Sequence, residues 1–228
     1  MATGDFANHA SPFPIGGGLS FKRLAAGSGH TCAQSANDVW YCWGANLWGE
    51  VGNSGFDVNL PVAVTGGDKF VTVRGGGRPY AAGKPHYGHS CGLTADGAAF
   101  CWGYNGVGQL GNGAMDTDRH TTPIAIAPAL TFAMVVAGYD YSCGLGRDES
   151  TYCWGNNARG RLGIGSSPSG TAPTRLMVDF GFKTLTAGGH TCGLVLNNEA
   201  YCWGDNGSGQ LGDGSNVDRT SPSLVVRP

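Results

Sequence analysis

The residues in this chain best placed to do chemistry are eight cysteines, and they fall into four pairs with nine residues between partners: Cys32 and Cys42, Cys91 and Cys101, Cys143 and Cys153, Cys192 and Cys202. Such a pair can oxidise to a disulfide or bind a metal. Zinc sites built from cysteine use gaps of about two to four residues between paired ligands, so these gaps are too wide. The midpoint of each pair is Asn37, Asp96, Asp148 or Asn197, flanked by further turn formers such as Asp38, Gly97 and Asn198. Asn and Asp tolerate the left-handed conformation that short hairpin loops require. Folding each unit about its midpoint sets the two cysteines opposite one another on adjacent antiparallel strands, within disulfide reach. The sequence therefore predicts Cys32–Cys42, Cys91–Cys101, Cys143–Cys153 and Cys192–Cys202. Four such bonds imply an oxidising compartment, secreted or periplasmic. No metal and no cofactor is expected.

A second group of candidates comes from comparing the units. Each unit carries a phenylalanine before its first cysteine, and the separations are 11, 21, 11 and 10 residues, counted from Phe21, Phe70, Phe132 and Phe182. The second unit thus holds an insertion, within RGGGRPYAAGKPHYGHS. It gathers Arg74, Arg78, Tyr80, Lys84, His86 and Tyr87, the cationic and aromatic residue types that anchor interfaces. The stretch GNGAMDTDRHTTP adds Asp116 and His120, which are read as local additions beside an Asp-Arg pair shared with the fourth unit (Asp118–Arg119, Asp218–Arg219). His30, His89 and His190 occupy one repeated position, filled by Tyr141 in the third unit, and a recurring residue of that kind is expected to be a structural hydrogen-bonder. His86 and His120 do not recur and are the candidates for proton transfer. No GxSxG, HExxH or GxxxxGK[ST] is present.

The elements that must position these residues follow from the repetition. Cysteine spacings of 49 to 59 residues, and a Pro–Phe landmark at Pro12/Phe21, Pro61/Phe70, Pro123/Phe132 and Pro173/Phe182, define four units. Within a unit, segments such as PIAI, FAMVVAG, SCGLG and TYCWG are β-rich and cut by Gly, Asn and Asp. Nothing shows a helical period. Four strands per unit at this period describe a β-propeller blade, so an all-β propeller of four four-stranded antiparallel blades is expected. It forms one domain over 1–228, with repeats near 12–60, 61–122, 123–172 and 173–228. Trp43, Trp102, Trp154 and Trp203, each directly after a second cysteine, are assigned to packing between sheets.

Composition narrows the function. There are 41 glycines among 228 residues, only 13% of residues are charged, and the net charge is −2. That balance suits a turn-rich β protein. It lacks the basic footprint of a nucleic-acid binder, and there is no apolar run of about eighteen residues to cross a membrane as a helix. The opening MATGDFANHASPFPIGGG has neither the basic nor the long apolar region of a secretory leader.

The motif HTC…YCWG…GQLGDG…DRTSP resembles the regulator of chromosome condensation repeat, in a cysteine-containing form, and the likeness recurs four times along nearly the whole chain. The resemblance implies a propeller, usually of seven blades, whose faces bind proteins. Four repeats fall short of seven. The expectation is therefore a homodimer in which two half-rings make eight blades, with seam strands near Pro12–Ile15 and Ser223–Val226; a compact four-bladed ring is the alternative. The function expected is extracellular recognition of a protein partner through the face loops and the second-unit insertion. A hydrolase-like site at the propeller mouth, or a structural fragment of a longer propeller, stands beside it.

Overall fold

The computed structural model of the protein describes residues 4, 10–12, 14–78, 86–165 and 168–226. Sixteen strands form four separate four-stranded antiparallel sheets, with two single 3-10 turns and no α-helix among the described residues. Blade 1 comprises β1 (Phe21–Ala26), β2 (His30–Ser35), β3 (Trp40–Gly44) and β4 (Val58–Ala63). Blade 2 comprises β5 (Phe70–Gly77), β6 (Gly88–Thr94), β7 (Ala99–Gly103) and β8 (Ile124–Ala125). Blade 3 comprises β9 (Phe132–Ala137), β10 (Tyr141–Gly146), β11 (Thr151–Gly155) and β12 (Gly170–Arg175). Blade 4 comprises β13 (Phe182–Ala187), β14 (His190–Val195), β15 (Ala200–Gly204) and β16 (Arg219–Leu224).

Each proline-bearing segment closes the blade before it: β4, β8, β12 and β16 are the outermost strands of their own sheets. The structural unit is therefore offset from the sequence frame, in which the proline segment opens the unit. The physical reason is hydrogen bonding, since proline lacks an N–H and suits an edge strand. The same offset removes the two seam strands. Ser223 and Leu224 end β16, which completes blade 4, while Val226 lies beyond it. Pro12, Pro14 and Ile15 carry no strand, and Phe13 lies outside the described residues. The glycine run that follows favours turns, with Gly17 and Gly18 at φ 94° and 66°.

The two middle strands of every blade place the cysteines face to face, with the register Cys32↔Cys42, Cys91↔Cys101, Cys143↔Cys153 and Cys192↔Cys202. All four disulfides are formed, each with Cα atoms 4.1 Å apart. The left-handed hairpin residue follows each predicted midpoint: Asp38, Gly97, Glu149 and Asn198.

Three apolar clusters fill the spaces between successive blades, and Trp102, Trp154 and Trp203 are wholly buried in them. A polar seam accompanies each cluster. Trp102 Nε1 and Ser90 Oγ both donate to the Glu50 carbonyl of blade 1, at 2.9 and 2.8 Å. Trp154 Nε1 and Ser142 Oγ donate to the Gln109 carbonyl of blade 2, at 3.0 and 3.1 Å. Thr191 Oγ1 donates to the Arg161 carbonyl of blade 3 at 3.0 Å. Across the same seams, His30 meets Ser90 at 2.7 Å, His89 meets Ser142 at 2.9 Å and Tyr141 meets Thr191 at 2.7 Å. The recurring histidine position is thus a blade-to-blade hydrogen-bonder. Through Nε2 it pairs a hydroxyl of the next blade inside an apolar interface, where leaving that hydroxyl unpaired would cost about 1–3 kcal/mol.

Candidate functional site

In an antiparallel meander the connections β1–β2 and β3–β4 leave from the same end of the sheet, as do their counterparts in the other blades. At the junction of blades 1 and 2 this end gathers residues of types that the other units do not place there. The insertion, between β5 and β6, brings His86 and Tyr87. The blade 1 loops bring Ser28, Trp48 and Glu50. Ser28 Oγ lies 2.7 Å from His86 Nε2, and His86 Nδ1 lies 3.4 Å from Glu50 Oε1. The Glu50 side chain is fully buried and that of His86 is 10% exposed, whereas Ser28 is exposed. Trp48 holds both acceptors in place: its backbone N–H donates to Glu50 Oε2 and its indole N–H to the His86 carbonyl, each at 2.8 Å.

Glycine makes room for this array. A β-carbon on Gly29 would collide with the His86 ring, and one on Gly88 would lie 2.8 Å from its Cε1. Ser28 borders a cavity of about 350 Å³ at the mouth of the arc, walled almost entirely by glycine and alanine from all four inner strands and the turns that follow them, with Tyr139 at one side.

Aromatic rings surround the array. Tyr87 stacks on Trp48 with centroids 5.9 Å apart and packs against Tyr104 at 4.5 Å, while Trp48 and Tyr104 lie 4.9 Å apart. On the same face Leu47 and Phe56 are exposed, by 43% and 73%. Arg119 sits over the Phe56 ring and donates to the carbonyls of Leu47, Asn46 and Gly55. Arg78 pairs with Asp140 of blade 3; burial pushes the Asp140 carboxyl up, against the pull of that guanidinium.

The structure divides the residues singled out from the sequence. His86, Tyr87 and Arg78 lie along this rim. Arg74 is apart from it, exposed on β5 among the residues that line the central channel. Tyr80 and Lys84 lie outside the described residues. Asp116 and His120 hydrogen-bond each other at 2.7 Å within one loop, and Asp116 also accepts from Asn105. Asp116 is a repeat feature and not a local addition, because Asp57 and Asp218 accept from Asn46 and Asn206 at the matching places. The supposed Asp-Arg pair does not form as a pair. Arg119 reaches back to blade 1, Arg219 bonds Asp213, and Asp218 pairs with Arg159.

Ser28, Glu50 and Tyr104 were not among the sequence candidates. A signal for Glu50 was present, since GEVG stands in blade 1 where the others read GQLG, GRLG and GQLG.

Comparison with known proteins agrees with this architecture. Models of the regulator of chromosome condensation (RCC1) repeat match residues 96–145 and 188–210. The ultraviolet-B receptor UVR8 of Arabidopsis thaliana is 30% identical over 167 residues, which is 70% of this chain and 34% of the receptor. The human E3 ubiquitin-protein ligase HERC2 is also 30% identical, over 164 residues that form 3% of its length. The chain thus spans about a third of the receptor and a small part of the ligase. Among solved structures, yeast RCC1 (Prp20) bound to Kap60 superposes with a TM-score of 0.78 at 21% identity, over 94% of this chain and 50% of that one. Human WBSCR16 gives 0.77 at 20% identity, over 94% and 55%. The two repeat-model matches, on a cysteine-to-glycine motif that recurs in all four units, identify the chain as a member of the regulator of chromosome condensation repeat family.

Proposed function

We propose that the protein is a recognition scaffold for another protein, engaged at the rim of blades 1 and 2. The observation that carries this reading is the surface formed there by Phe56, Leu47, Tyr87, Trp48, Tyr104 and Arg119. Leu47 and Phe56 are exposed there beside half-buried Trp48, Tyr87, Tyr104 and Arg119, and aromatic and arginine side chains of this kind anchor interfaces. The likeness to propellers solved with a bound partner or studied for binding to Gsp1p and histones supports the same reading. The four disulfides support a setting outside the cytosol, secreted or periplasmic. The test is unbiased: peptides selected from a displayed library against the whole protein are re-measured on a Phe56→Ala/Tyr87→Ala double variant. Loss of two hot-spot side chains is expected to weaken binding by about 30-fold or more. Selected peptides that bind the variant as tightly as the parent overturn the assignment of the rim.

The two end blades support self-association as the way the ring closes. At every internal seam one blade presents a histidine or tyrosine and a main-chain carbonyl to a hydroxyl of the next, and in the first two seams an indole also donates to that carbonyl. Blade 4 ends on His190 and the loop of Gln210, while blade 1 begins on Thr31 and Trp43, so the outer faces are the two halves of one further seam. Burial agrees: Leu93 and Leu145 are each 4% exposed, whereas the equivalent Leu194 of blade 4 is 36% exposed. Two copies related by a two-fold axis would bury this face and make eight blades. Light scattering after size exclusion, without reductant, is expected to give twice the 23.4 kDa chain mass, falling to one chain mass in Leu194→Arg. A parent protein at one chain mass overturns the dimer.

A further inference from the structure

We infer that Ser28, His86 and Glu50 form an acyl-transfer site that hydrolyses small neutral esters. This goes beyond the recognition role and does not depend on it. Three positions where single blades depart from the repeat converge on one hydrogen-bonded line, which the repeat architecture alone does not call for. Glu50 occupies the place of Gln109 and Gln210. Those glutamines each accept the backbone N–H two residues before them through Oε1, at 3.1 and 2.8 Å. Glu50 does the same with Oε2. The difference is the other atom. In Gln109 it is an Nε2 buried without a partner, whereas in Glu50 it is a second carboxylate oxygen facing His86 Nδ1. That acceptor sets the tautomer, with the proton on Nδ1 and the lone pair of Nε2 toward Ser28. His86 is brought by the insertion, and Ser28 sits in a GSGH turn that reads GYDY in blade 3.

Order along the line runs from buried to exposed: carboxylate fully covered, imidazole nearly so, hydroxyl open to the cavity. A nucleophile must be reachable while the groups that activate it stay dry. A β-carbon on Gly77 would lie 2.6 Å from Ser28 Oγ, so an ester carbonyl approaches the hydroxyl over bare backbone. The glycine and alanine walls and the volume of about 350 Å³ admit a short acyl chain and offer no charge to bind a charged one.

In the reaction Ser28 Oγ bonds to the ester carbonyl carbon as its proton passes to His86 Nε2. The carbon–alkoxy bond then breaks and the alcohol leaves with that proton. Water attacks the acyl-serine, gives a proton to Nε2, and the carboxylic acid departs as Ser28 regains its hydrogen. Glu50 and Trp48 are positioning residues.

The test uses the intact, oxidised protein with p-nitrophenyl acetate and butyrate, and a fluorophosphonate probe located by peptide mass spectrometry. Turnover and a label on Ser28 are expected. Ser28→Ala should lose both, and His86→Ala should slow turnover by about 100-fold or more. Glu50→Gln should lower kcat without raising KM; it is expected to fold, because glutamine already occupies this place in blades 2 and 4. Ser221→Ala, on the exposed outer edge of blade 4, should react like the parent. No turnover, no label on Ser28, or a Ser28→Ala variant that turns over at the parental rate overturns the inference.

Discussion

Reduction of the four disulfides is expected to unfold the protein. Each bond closes a loop between cysteines ten positions apart, which is worth about 2–3 kcal/mol, so the set contributes on the order of 10 kcal/mol. Domains are stable by about 5–15 kcal/mol, so most of the margin rests on these bonds. The pairs also cannot be replaced by the core around them, since each blade is a small sheet whose apolar contacts lie chiefly with its neighbours. Seven of the eight cysteines are at most 5% exposed and Cys192 is half-buried. Reductant alone should therefore act slowly on the bonds of blades 1 to 3, reach Cys192–Cys202 first, and be accelerated by urea as single blades open. Urea unfolding followed by circular dichroism, with and without reductant, checks this: the reduced protein should show little or no cooperative transition. An unchanged midpoint would mean that the blades stand without their staples.

Acidification should have the next largest effect. Burial lowers His30 to about 4, with the Glu50 carboxylate opposing it, and lowers His89 to about 3. In the unfolded chain both titrate near 6.5. Above that pH neither state binds the protons and the stability is fully present. Between 6.5 and about 4 the unfolded chain is protonated while the folded one is not, so stability falls as pH falls. Each histidine contributes about 1.4 kcal/mol per pH unit, or about 4 kcal/mol for the two together by pH 5. Both Nδ1 atoms are buried without a partner, so no acceptor awaits the added proton. Thermal unfolding midpoints between pH 7.5 and 5 should drop steeply below 6.5, and His89→Gln should remove about half of the slope. A flat profile would show that these rings reach solvent in the native state.

Much of this fold is written in repetition. Four copies of a cysteine pair about an Asn or Asp midpoint specify hairpins, and the hairpins specify the disulfide register, because both are local consequences of backbone geometry. The fate of the proline segments is a contest between two sheets, and spacing cannot decide it. Only the missing N–H of Pro61, Pro173 and Pro222 favours the outer edge of the preceding blade. The candidate site is less legible for a related reason. Ser28, Glu50 and His86 are separated by up to 58 positions, and each alone reads as an ordinary loop residue. They meet because consecutive blades share one rim. What could be seen beforehand was departure from the repeat: a glutamate where other units place Gln or Arg, and an insertion in one unit.

The seams between blades have a direction. Each runs from a ring and carbonyl on one blade to a hydroxyl on the next, joined by an indole in the first two seams. The proposed association through the outer faces would therefore be head-to-tail, and nothing in such a contact itself counts to two. Closure depends on the rise per blade: copies added in a plane meet after a full turn, whereas a small constant rise would carry them past one another into a helical filament. For the proposed assembly, the flatness of the arc, more than the strength of the seam, would set whether it closes into a discrete particle.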